Sequence, residues 1–128
     1  MIAAILLLLF LNSPVWAMSA DEFAARVEGH TFQYRHDGQP HGIEEYLENR
    51  RVRWSLMDGL CKEGHWYEAG TQICFVYEDD PDAPHCWTFE EDTAGLRAIT
   101  LDSNGRREVY DAFQSDEEMI CLGPEVGV

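Results

Sequence analysis

The apolar positions of this chain fall into three successive patterns. Ile2 to Leu11 is an unbroken apolar run. From Ser19 to Val27, Phe23, Ala24 and Val27 recur at helical spacing, Ser19 and Glu22 form a capping-box pair, and Gly29 follows as a stop. Beyond residue 30 the period falls to two. Phe32 and Tyr34 alternate with Thr31, Gln33 and Arg35, which predicts a half-buried strand. Further strands are predicted at about 42–48, 51–57, 63–68, 72–78, 85–90, 95–101 and 106–110. Their separators are turn-rich: Asp37 to Pro40, Glu48 to Arg51, Asp58-Gly59, Ala69-Gly70, Asp79 to Pro84, Asp92 to Gly95 and Ser103 to Gly105. Turns every 8–12 residues with no second helix predict an all-β antiparallel meander of about eight strands. It should close into a small barrel or fold into a sandwich, because an open sheet leaves reactive edges.

The first apolar run is too short to span a bilayer, which takes about 20 residues. Asn12-Ser13-Pro14 breaks it, and Val15-Trp16-Ala17 supplies small residues three and one positions before a cut. This is the layout of a secretory signal peptide over 1–17, leaving a single domain over 18–128 that is periplasmic or secreted. No stable membrane insertion of that mature chain is expected.

An exported chain oxidises its thiols, so Cys61, Cys74, Cys86 and Cys121 are expected to form two disulfides. Four cysteines allow three pairings. Cys74 and Cys86 fall on strands that are expected neighbours, which favours 74–86 with 61–121. Their spacing contains no C-x-x-C, so no metal site is expected among them.

Formal net charge is −15, which makes nucleic acid and anionic membranes poor partners. Of the basic residues only Lys62 is a lysine, and the arginines are suited to pairing with surface carboxylates. The remaining candidate chemistry is sparse. His36 and His41 flank one turn without a third ligand in reach. The run Glu78 to Asp82 is acidic but lacks calcium-loop spacing. No catalytic or cofactor-binding motif is present. A tight turn at Asn49-Arg50 would set Leu47 opposite Val52, Glu45 opposite Trp54 and Ile43 opposite Leu56, all facing the core. Tyr46 with Arg53, and Glu48 with Arg51, would face solvent. Glu45 on an apolar face, or a histidine, is then the only motive for a hydrolase-type reading.

The aromatic residues are more informative. A small β-barrel either fills its interior with such side chains or keeps a ligand cavity. At this size filling is favoured. A cavity, if present, would be lined by Tyr34, Trp54, Trp66, Tyr77 and Trp87.

Five short blocks carry a family resemblance: Arg51-Val52-Arg53-Trp54, Gly64-His65-Trp66, Ile73 to Glu78, Cys86-Trp87-Thr88-Phe89 and Cys121 to Val128. Together they resemble a family of small exported alphaproteobacterial proteins, over about residues 23–128. The resemblance implies export, two disulfides and a β-rich domain, and it assigns no activity. The leading expectation is a non-enzymatic binding or interaction module of the cell envelope, with an envelope protein as partner. The alternative is a carrier of a small apolar ligand in an aromatic-lined, lipocalin-like cavity. No cofactor is expected.

Overall fold

A computed structural model describes residues 16–122. The signal-peptide expectation therefore lies outside the described residues, except for Trp16 and Ala17. Helix α1 (Ala20–Val27) starts at Ser19, whose side chain accepts from the Glu22 amide while Glu22 accepts from the Ser19 amide. Gly29 stops it in a left-handed conformation (φ 80°) that a side chain would strain. No helix among the described residues is long and apolar enough to cross a membrane.

Eight strands follow: β1 (Thr31–His36), β2 (Gln39–Tyr46), β3 (Arg51–Ser55), β4 (Cys61–Ala69), β5 (Gln72–Tyr77), β6 (Asp80–Asp92), β7 (Gly95–Leu101) and β8 (Arg107–Ser115). Each pairs antiparallel with the next, and β1 pairs with β8, so the meander closes into a barrel. Closure removes the edges that an open sheet would expose. The acidic stretch expected to separate two strands is instead the start of β6. Pro81 and Pro84 are tolerated there because pairing with β5 is irregular between Phe75 and Tyr77.

Helix α1 plugs one end of the barrel. Phe23 and Val27 are fully buried. The Phe23 ring meets Trp66 edge-on at 5.1 Å, Tyr46 at 5.6 Å and Phe75 at 6.3 Å, and lies 4.4 Å from Phe89. Each such aromatic pair adds about 0.5–1.5 kcal/mol beyond the apolar area it buries. The Ala20 amide donates to Glu68, and Arg26 pairs with Glu91, tying the helix to β4 and β6. Because the chain is a meander, the β1–β2, β3–β4, β5–β6 and β7–β8 connections all lie at the opposite end, which forms the mouth.

Two disulfides are present, Cys61–Cys121 and Cys74–Cys86. The second links directly opposed residues of β5 and β6. The first fastens the segment after β8 to the start of β4 at the mouth.

The β2–β3 register differs from expectation by one residue. Tyr46 faces Val52, Glu45 faces Arg53, Glu44 faces Trp54 and Ile43 faces Ser55. Leu47 to Arg50 form a wider turn, with Asn49 and Arg50 both at positive φ. The slip exchanges the two faces of β2. Glu45 therefore points outward and pairs with Arg53, which also pairs with Glu63. Tyr46, expected on the solvated face, is buried. Val52 and Trp54 keep their inward direction, and Leu56 lies past the end of β3, largely exposed.

Candidate functional site

The interior has two levels. Near α1 it is filled by Phe23, Val27, Phe32, Tyr46, Trp66, Ile73, Phe89 and Leu96. Toward the mouth a cavity of ≈ 210 Å³ remains. The expectation of a filled barrel therefore holds only for the plugged half. An eight-stranded barrel has a lumen wide enough for side chains or for one small ligand, and here the two alternatives are stacked along one axis.

Residues that alternate inward on the strands build the cavity wall. Tyr34 comes from β1, Glu44 and Tyr46 from β2, Trp54 from β3, Lys62 from β4, Phe75 and Tyr77 from β5, His85, Trp87 and Phe89 from β6, and Tyr110 from β8. His41 and Leu56 sit at the rim. Of the five aromatic residues singled out from sequence, Tyr34, Trp54, Tyr77 and Trp87 line this cavity. Trp66 does not. It belongs to the plugged level, between Phe23 and the Arg50 guanidinium, which lies 4.6 Å from its ring.

Gly42 makes room for one wall. It faces inward on β2, and a Cβ there would run into the Trp54 ring and the Ser55 carbonyl. Trp54 consequently lies flat over β2, with Tyr34 at 5.8 Å and His41 at 5.5 Å. Trp87 and Tyr110 pack at 5.0 Å on the other side, and Tyr110 also touches His41 and His36.

Glu44 is the residue that the sequence reading missed. It is 1% exposed and lies within the aromatic wall. The Tyr77 hydroxyl donates to its Oε1 at 2.8 Å. Its Oε2 is buried with no hydrogen-bond partner among the described residues. Burial pushes its carboxyl up to about 8, against smaller opposing effects of the Tyr77 hydroxyl and the Lys62 ammonium. Burial likewise raises the Tyr34, Tyr46 and Tyr77 phenols, so all three stay neutral. Tyr34 and Tyr46 share a hydrogen bond between their hydroxyls. The Lys62 ammonium lies 3.4 Å from Asp79 and 4.8 Å from the Tyr77 ring.

Of the other sequence candidates, the two histidines that flank the β1–β2 turn both meet the Tyr110 ring. Glu45 is on the outer face. His36 Nδ1 contacts the Val109 carbonyl, and His41, its proton affinity lowered by burial and by neighbouring His36, lies against aromatic rings. Among the described residues no three His, Cys, Asp or Glu side chains come together as a metal site. The chain matches no protein-family model, no curated protein and no solved structure.

Proposed function

We propose that this protein is an exported binder of a small, largely apolar molecule held in the open half of its barrel. The observation that carries the reading is the lumen itself: a cavity of ≈ 210 Å³ walled by aromatic rings and entered from the end opposite the helical plug. Pockets with apolar walls and a few placed polar groups are the common form of small-molecule sites. The rim supports it too. Leu56, Met57, Leu60 and Leu101 are exposed around the mouth, an apolar approach for such a ligand. This reading favours a carrier over a module that binds only through its outer surface.

Export rests on the N-terminal pattern and on the resemblance to small exported proteins. It accords with two disulfides and with Met18 being the first buried residue described, its amide donating to the Phe89 carbonyl at 2.7 Å. The intact mass of the mature product should begin at Met18. Soluble protein that retains residues 1–17 would contradict it.

Tryptophan emission tests the binding claim. Trp54 and Trp87 line the cavity and should respond saturably to 2-phenylethanol, a small neutral aromatic. Trp54→Phe with Trp87→Phe should abolish most of the response. An unchanged response in that variant would place the contact outside the lumen.

A further inference from the structure

Glu44 is an unusual residue to leave in an aromatic cavity. A buried carboxyl with an unmet hydrogen-bonding oxygen costs about 1–3 kcal/mol or more. A structural role would be complete if both oxygens were satisfied, yet Oε2 has no partner among the described residues. The carboxyl is fixed in place by Tyr77, so Oε2 is held rigidly rather than free to turn away. The same cavity is lined by the aromatic side chains of Tyr34, Trp54, Tyr77, Trp87 and Tyr110. Aromatic faces carry negative potential and attract cations, most strongly where water is excluded. The protein as a whole carries a net charge of −15, which concentrates small cations near its surface.

We propose that the cavity is a site for a small organic ammonium, with Glu44 Oε2 as the acceptor of its N–H and the aromatic rings as the walls around its charge and its apolar body. This rests on the cavity being a ligand site, and it specifies the chemistry of what enters.

The other titratable groups near Glu44 are consistent with this assignment. Tyr34 and Tyr46 are neutral phenols joined to each other, and Tyr77 is a neutral phenol already donating to Glu44. Lys62 is the competing cation, but its ammonium is engaged by Asp79 and by the Tyr77 ring. His41 is disfavoured from charging by its burial and by His36, and Tyr110 is kept neutral by partial burial. His85 completes the rim from β6. Glu44 is then the group on this wall that exchanges a proton for a ligand. An entering ammonium displaces the Glu44 proton to solvent, and the complex holds one carboxylate and one cation.

The experiment is calorimetry on the oxidised domain with two probes of equal shape, 2-phenylethylamine and 2-phenylethanol. At about pH 8 the amine should bind roughly tenfold or more tightly than the alcohol, the size expected of one desolvated charge contact. Its affinity should fall about tenfold per pH unit below the Glu44 value of about 8, with one proton released per amine bound. The alcohol should show no such slope. Glu44→Gln should level the two probes and abolish proton release, while leaving alcohol binding in place. The pH profile needs no variant, so it stands even if the substitution lowers the yield of folded protein. Equal affinity for the two probes, or alcohol binding that strengthens as pH falls, would overturn the ammonium assignment and leave the cavity as a site for neutral ligands. Failure of both probes to bind would overturn the cavity reading as well.

Discussion

The Tyr77 hydroxyl reaches across the lumen to Glu44 Oε1, a 2.8 Å bond between β5 and β2, strands that are not neighbours in the sheet. The bond holds a carboxyl among aromatic rings and fixes which of its oxygens is left without a partner. It also links the stability of the barrel to pH. Glu44 binds its proton more tightly folded than unfolded, so its contribution is fully present below about pH 4.5 and is lost as pH rises through about 8. Glu44→Gln keeps an acceptor for Tyr77 and removes the titration. The wild type should therefore lose stability relative to this variant over that interval, by on the order of 4–5 kcal/mol at full extent. Urea melts at several pH values measure it. A difference that does not change with pH would contradict a buried, protonated Glu44.

The plug and the mouth should respond differently to truncation. Phe23 touches four aromatic rings and is fully buried, so Phe23→Ala should cost about 3–5 kcal/mol. Trp54 keeps solvent contact at the rim and should cost less, about 1–3 kcal/mol, when changed to Ala. Denaturant unfolding of both variants gives the order. A larger loss at Trp54 would mean that the stabilising core lies at the mouth.

Gly42 is tolerated because nothing but hydrogen faces the Trp54 ring. Gly42→Ala should push that ring into the lumen, costing about 1–3 kcal/mol and weakening ligand binding together. Crystallography of the variant would show the ring displaced. An unmoved Trp54 with unchanged binding would contradict the role given to this close approach.

The disulfides close loops of different length, with sequence separations of 60 for Cys61–Cys121 and 12 for Cys74–Cys86. Chain-entropy reasoning gives about 4 kcal/mol for the longer and about 3 kcal/mol for the shorter. Replacing each pair by alanine, followed by thermal unfolding, tests the ranking. Thiol labelling of the denatured, unreduced wild type should find no free cysteine.

Much of the fold was legible because the signals were local. Ser19 and Glu22 announce the helix start, Gly29 its end, and period-two alternation between turn residues announces each strand. The β2 face was not legible. In Ile43-Glu44-Glu45-Tyr46-Leu47, either face offers one acid and at least one large apolar residue, so hydrophobic pattern alone does not choose. The choice falls to the turn, where Asn49 and Arg50 both take left-handed conformations that widen it by one residue. That single residue moved the buried carboxyl from Glu45 to Glu44. The placement of Trp66 was hidden for a different reason. Alternation shows which side chains face inward but not their height along the barrel axis. Height decides whether an inward ring meets Phe23 or the cavity, and it is set by closure of β1 onto β8 and by where α1 enters.

Contacts between ligand protons and cavity protons distinguish a site in the lumen from one on the outer face. With 2-phenylethylamine bound at about pH 8, near the Glu44 value, intermolecular nuclear Overhauser effects should connect its ring to the rings of Tyr34, Trp54, Trp87 and Tyr110. None should connect it to Trp66 at the plugged level. Contacts confined to the outer face, at Glu45 or Arg53 for example, or no contacts at a saturating concentration, would contradict a ligand site inside the barrel.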